Sequence, residues 1–174
     1  MKRKYLVRTF IIILVLVSNL SCDQVSKSIV RKNVGYHEKI EMFYELFTLT
    51  KVENSGAFLS LGNNFPVTVK LIFLNLLPLL ALFSGLIFLF VKQSIPMLSV
   101  IGLSFIIGGG LGNIYDRILY GSVTDFFHID FVIFQTGIFN MADVSIMVGM
   151  ALIVLQSFLN NKTTPIEESQ EDIS

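Results

Sequence analysis

Four apolar stretches, each long enough to cross a lipid bilayer, dictate what this chain can become. They cover about 5–22, 67–91, 97–118 and 139–159, and the first is centred on FIIILVLV at 10–17. A bilayer core asks for about 20 apolar residues per helix, at 1.5 Å rise each. Backbone polar groups find no water there, so such runs are expected to close their hydrogen bonds internally, as helices. Composition agrees, with 53% hydrophobic and 15% charged residues, whereas soluble domains carry about a quarter charged. The expected fold class is therefore an all-α membrane protein with four transmembrane helices. A single domain is expected over 1–160, with outer loops at 28–66 and 119–136 and a short link at 92–96. The acidic segment 161–174 reads as a disordered, solvated tail. No internal repeat is visible.

Charge and cysteine usage exclude several classes. Thirteen Lys and Arg balance thirteen Asp and Glu, so neither a generally basic nucleic-acid binder nor an acidic disordered chain is expected. The one cysteine, Cys22, excludes an intrachain disulfide framework and a Cys-based zinc site. The opening MKRKYLVR, FIIILVLV and SNLSC has the pattern of a secretory signal peptide ending in a lipid-modified cysteine. Against that, Asn19 stands three residues before Cys22 and three further spans follow. The first stretch is read as a retained helix, extended outward through 23–30. Lys2, Arg3, Lys4 and Arg8 place the N-terminus in the cytoplasm by the positive-inside rule. The long loop also carries Lys27, Arg31, Lys32, Lys39 and Lys51, so this reading follows the first helix. Both termini are then cytoplasmic.

Alternation of the spans brings the end of helix 1, both long loops, the end of helix 3 and the start of helix 4 to one side. Asp23, Lys27, Asn54, Asn113, Asp116, Arg117, Asp125, Asn140 and Asp143 all fall there. An Asp at a bilayer centre costs about 2.5–3.5 kcal/mol on insertion scales, and such residues face the bundle or water and carry function. Each also has a plain structural reading. Asp23 and Lys27, four apart, make an ordinary interfacial ion pair on one helix face. In GGGLGNIYDR, 108–117, Gly109, Asn113 and Asp116 share a face, and the glycines suit close helix packing. Asp116 beside Arg117 reads as an ion pair at a helix end. Residues 47–50 (FTLT) alternate as a strand does, and Asn54-Ser55-Gly56 signals a turn. A short hairpin or small sheet is expected there, with Phe58 and Leu59 facing lipid or substrate. Asp125, in GSVTDFF, reads as a loop carboxylate. Asn140 and Asp143 have the spacing of a capping box.

Two carboxylates held close cannot both ionise easily, so the pair keeps one proton. The ionised member can take a proton from water while the protonated member bonds a carbonyl oxygen. A Ser–His or Cys–His scheme fares worse, because the histidines are His37 and His128 and Cys22 belongs to the first span. A metal set of Asp125, His128, Asp130 and Asp143 is a further option. Asp125 and Asp130, five apart, would point to opposite faces of a strand. Two rivals lie outside hydrolysis. A transporter or channel subunit predicts polar residues along the whole bundle, yet 146–155 has none. A lipoprotein or assembly factor predicts loss of residues 1–21.

The blocks DQVSK, ENSGAF, GGGLGNIYDR, GSVTDF and FNMADVSI, in this order and spacing, resemble lipoprotein signal peptidase, also called signal peptidase II. The resemblance spans nearly the whole chain. It implies a four-helix aspartic peptidase of the bacterial cytoplasmic (inner) membrane, with a small extracytoplasmic β-cradle and a short periplasmic helix. It implies cleavage of prolipoprotein signal peptides just before a diacylglyceryl-modified cysteine. By motif position, the catalytic aspartates fall on Asp125 and Asp143. Asp23, Lys27, Asn54, Gly56, Asn113, Asp116, Arg117, Asn140 and Ala142 match positions that shape the site or bind substrate or the inhibitor globomycin. The implied partners are diacylglyceryl-prolipoproteins and membrane lipid, with no nucleic acid, no metal and no organic cofactor, acting as a monomer. The active site would lie near the extracytoplasmic face. The sequence departs from the family pattern at Thr124, where a second apolar residue is common. It also departs in HIDFVIFQTGI, which lacks a Pro or Trp before the FN pair.

Overall fold

The structure is a computed structural model that describes residues 2–161 apart from 37, 43–45, 58–60 and 132. The expectations for His37, Phe58, Leu59 and the 162–174 portion of the tail lie outside the described residues. Four helices are long and apolar enough to cross a membrane. They are α1 (Lys2–Asn33), α2 (Val67–Val91), α3 (Met97–Tyr120) and α4 (Met141–Asn161). Three strands complete the fold: β1 (Lys39–Met42), β2 (Phe47–Asn54) and β3 (Val123–Ile129). Among the described residues there is no additional short helix outside these spans.

The helix ends follow local chemistry. Pro66 and Pro96 precede α2 and α3, where a fixed φ and a missing N–H suit the entry to a helix. Gly121 ends α3 with φ 74°, its N–H donating to Arg117 O at 3.1 Å. That left-handed residue turns the chain directly into β3. Helix α1, at 32 residues, is about 48 Å long, more than a bilayer core of about 30 Å requires. Its last turns therefore rise past the apolar zone to meet the sheet. Helix α2 is not uniform: Leu71–Leu76 forms a π-helical turn between α-helical Val67–Lys70 and Leu77–Val91.

The bundle centres on α3, which packs on α1, α2 and α4. Small residues set the α3–α4 approach. A Cβ on Gly102 would lie 2.8 Å from Gly149 O, and one on Gly109 would collide with Ala142 O. Close backbone contact of this kind drives helix association where lipid removes the ordinary hydrophobic advantage. Ile12, Leu89, Val100 and Ile107 form a core between α1, α2 and α3. Large apolar side chains elsewhere on the helices remain exposed, among them Phe10, Phe73, Phe83 and Phe158, as lipid-facing positions require.

At one end of the bundle the strands form a sheet in the order β1-β2-β3, all antiparallel. The expected strand at 47–50 opens β2, and a bulge between Leu49 and Val52 shifts its register against β3. Val30, Val34 and Phe126 pack with Leu49, Phe127 and Met141 beneath the sheet. At the opposite end, Arg8 of α1 donates to Leu89 O, Lys92 O and Gln93 O at 2.7–2.9 Å. The guanidinium thus caps the C-terminal carbonyls of α2, where the helix leaves them unpaired.

Candidate active site

The segment 119–136 is not a simple loop, and Asp125 is not a loop carboxylate. Asp125 sits in β3 opposite Val52 and is 5% exposed. Asp143 lies in the first turn of α4. The capping box forms as the spacing predicts: Asp143 N–H donates to Asn140 Oδ1 at 3.1 Å, and Asn140 N–H donates to Asp143 Oδ2 at 3.0 Å. Capping occupies only one carboxylate oxygen. The other, Oδ1, accepts from Asn113 Nδ2 at 2.9 Å.

Two carboxamides, Asn113 and Asn140, link the two aspartates, and a third, Asn54, holds Asp125 from its other oxygen. Asn140 Nδ2 donates to Asp125 Oδ1 at 2.6 Å and to Asn113 Oδ1 at 3.1 Å. Asn54 Nδ2 donates to the other Asp125 oxygen at 3.1 Å and to Ala57 O at 3.0 Å. Both aspartates line a cleft with Asn54, Ala57, Asn113, Val123, Ile138 and Asn140. It offers about 70 Å³ to water-sized occupants, room for a few waters. Burial is the largest influence on Asp125 and the nearby Asp143 charge adds to it. Against the pull of the Asn54 and Asn140 donors they push its pKa from the ordinary 3.8 to about 6. The Asp125 carboxyl therefore keeps its proton more readily than a solvated one.

Beneath this cleft lies a buried charge network. Lys27 Nζ donates to Asp23 Oδ2 at 2.8 Å and stands 3.1 Å from Asp116 Oδ2, with all three side chains fully buried. The interfacial ion pair expected for Asp23 and Lys27 is thus an interior one. Its geometry serves the cleft. Lys27 also donates to Asn113 Oδ1 at 3.0 Å. Lysine has no acceptor, so that bond turns the Asn113 NH2 toward Asp143. Asp23 Oδ1 accepts the Ala142 N–H at 2.9 Å, fixing the first turn of α4 against α1. Ala142 itself is fully buried under the α3 glycines.

Asp116 and Arg117 do not pair with each other. Adjacent helical residues point about 100° apart, and each finds a partner elsewhere. Asp116 faces Lys27 and, as an ion pair at 2.9 Å, Arg31. Arg117 Nη2 donates to Gly56 O at 2.9 Å. Gly56 N–H in turn donates to Asn54 Oδ1 at 3.0 Å, so Arg117 braces the turn that aims Asn54 at Asp125.

Thr124, a departure from the family pattern, has a structural reason. It is fully buried, accepts from Arg31 Nε at 2.8 Å and donates to Glu53 Oε1 at 2.8 Å. Arg31 and Glu53 escaped the sequence reading because their partner here is remote in the chain. Asn19 and Ser145 escaped too, though a polar residue inside an apolar span is a usable signal. Ser145 Oγ donates to Asn19 Oδ1 at 2.7 Å and both residues are buried. His128 and Asp130 are drawn into sheet contacts, His128 opposite Thr48 and Asp130 Oδ2 accepting from Gln135 at 2.7 Å. Among the described residues no group of three or more His, Cys, Asp or Glu is arranged to hold a metal.

Comparison with known proteins shows the family. The sequence model of a family described as "Signal peptidase (SPase) II" matches residues 11–159. A lipoprotein signal peptidase of Aquifex aeolicus is 32% identical over 142 residues, covering 82% of each chain. That of Pasteurella multocida is 36% identical over 138 residues, covering 79% of this chain and 82% of the relative. A solved structure of a bacterial membrane enzyme, obtained by the in meso method, superposes with a TM-score of 0.76 at 26% identity. It covers 92% of this chain and 94% of the other. On the length of these matches and the identity of the relatives, the chain belongs to the signal peptidase II family.

Proposed function

We propose that the chain is a membrane aspartic endopeptidase that removes signal peptides from prolipoproteins, cutting just before a diacylglyceryl-modified cysteine. The observation that carries this reading is the cleft in which Asp125 and Asp143 stand, joined through Asn113 and Asn140. In this reading the pair carries one proton between its two carboxyls. Its ionised member takes a proton from a water in the cleft, and that oxygen attacks the carbonyl carbon before the cysteine. The protonated member donates to the carbonyl oxygen as negative charge develops there. When the tetrahedral intermediate collapses, the C–N bond breaks and the cysteine nitrogen leaves with a proton from the pair. The products are a signal peptide with a new carboxylate and a lipoprotein with a free, lipidated N-terminal cysteine.

The surroundings fit a substrate delivered from lipid. The exposed apolar helix faces let the signal peptide approach within the bilayer while its acyl chains stay there. In this reading the protein is a monomeric single domain of the bacterial inner membrane. Its sheet end faces outward and both termini lie in the cytoplasm. The buried polar side chains farther along the bundle do not suit ion transport. Beyond Asn19 and Ser145, buried Ser104 donates to Val100 O of its own helix at 2.8 Å, and Arg8 is spent on capping α2.

The test uses the purified full-length chain in detergent with a diacylglyceryl-modified prolipoprotein, the same protein unlipidated, and EDTA. Mass spectrometry of the product should place the modified cysteine at the new N-terminus, with cleavage insensitive to EDTA and confined to the lipidated substrate. An intact lipidated substrate, or cleavage abolished by EDTA, contradicts the proposal.

A further inference from the structure

Peptide hydrolysis at the edge of a membrane has a requirement that the aspartates do not meet. A signal peptide enters as a helix, and to be cut its scissile segment must open out. Opening frees backbone N–H and C=O groups where little water is available, and each unpaired group is costly. The protein must supply partners. The carboxamides of Asn54, Asn113 and Asn140 are already committed to the aspartates and to one another.

Among the uncommitted buried polar atoms at this end of the bundle are the Asn75 carboxamide oxygen and Arg117 Nε. One is an acceptor and the other a donor. Asn75 belongs to the π-helical turn of α2, which packs against α3, and such turns recur at functional sites. Helices α2 and α3 run antiparallel, with Gly85 against Ile107 and Leu82 against Gly110. Each step toward the start of α2 is matched by a step toward the end of α3, which sets Asn75 level with Arg117. Arg117 carries this level to the cleft through its bond to Gly56 O.

We propose that Asn75 and Arg117 form a subsite for one residue of the opened signal peptide, Asn75 Oδ1 accepting its N–H and Arg117 Nε–H donating to its C=O. Asn75 is then a positioning residue for the substrate and takes no part in proton transfer. This inference rests on the peptidase reading above.

The test compares wild type and Asn75→Leu, full-length and in lipid vesicles, on a lipopeptide with a diacylglyceryl cysteine. A second series carries one N-methyl group at each position in turn among the residues preceding that cysteine. The variant should lower kcat/KM about 10- to 100-fold, mainly through KM. Its melting temperature should be equal or higher, because an unpaired buried acceptor has been removed. One N-methyl position should slow wild type by a similar factor and slow the variant no further. Wild-type rates in Asn75→Leu, losses that merely track a lower melting temperature, or equal N-methyl penalties in both proteins would overturn the subsite. If wild type leaves the unmethylated lipopeptide intact, the peptidase reading falls and the subsite falls with it.

Discussion

At the residue scale, the site depends on buried charges that balance one another. Asp23, Lys27 and Asp116 are fully buried, and removal of one member of such a set strands the others. Lys27→Met should destabilise the protein by about 3–5 kcal/mol and release the Asn113 carboxamide from its orientation. Thermal unfolding in detergent at pH 8 measures this, and an unchanged midpoint would count against a structural charge network. Asp125 behaves in the opposite sense. Its native pKa, about 6, lies above the ordinary 3.8, so between these values the native state binds more protons than the unfolded one. The group's contribution to stability is therefore present at low pH and lost as pH rises from about 4 to about 6, by up to about 3 kcal/mol. Asp125→Asn cannot ionise. Its midpoint relative to wild type should rise between pH 4 and pH 7, and a fall would mean that the carboxylate is stabilised by its site.

At the element scale, the α3 glycines differ in what surrounds them. A Cβ on Gly109 would meet the Ala142 backbone oxygen, whereas one on Gly110 would meet the end of the Leu82 side chain at 2.8 Å. Backbone in α4 cannot yield without moving Asp143, while a leucine can change rotamer. Gly109→Ala should cost about 1–3 kcal/mol and most of the activity, with Gly110→Ala much closer to wild type. Equal effects in melting and cleavage assays would contradict this account of the seam. At the other end, Arg8→Ala should lower the midpoint by about 1–3 kcal/mol by orphaning the carbonyls of Leu89, Lys92 and Gln93. Cleavage by the remaining folded fraction should be unchanged, because Arg8 lies at the end of the bundle opposite the cleft.

The elements were unevenly legible in the sequence. Helix spans stood out because the bilayer demands length and apolarity, and both are visible residue by residue; the expected 67–91 is α2 without correction. Strand β3 did not stand out. Val123, Thr124, Asp125 and Phe126 are all buried, so both strand faces are covered and the polar–apolar alternation that betrays a strand is missing. The π-helical turn leaves no composition signal at all. Asx-type turns and caps, by contrast, are written in local spacing, and both Asn54-Ser55-Gly56 and the Asn140–Asp143 box formed as read. The pairing of Arg31 with Thr124 and the division of Asp116 from Arg117 needed tertiary contacts that no local pattern carries.

At the scale of the whole molecule, the bundle is asymmetric. One end holds caps and apolar packing, and the other gathers a buried charge network, three carboxamides and two aspartates under a three-stranded sheet. Helices α1 and α3 contribute Lys27 and Asn113, and Asn140 stands at the entry to α4.

The central claim is that these two aspartates share the proton that drives cleavage. The most direct measurement follows the rate of cleavage of a diacylglyceryl-modified prolipoprotein by wild type, Asp125→Asn and Asp143→Asn, each verified as folded. Asparagine keeps the shape and the hydrogen-bond reach but cannot hold or release the proton. Both variants should be slowed at least about 10²–10⁴-fold while wild type cuts fully. A folded variant of either aspartate that cuts at the wild-type rate would contradict the account.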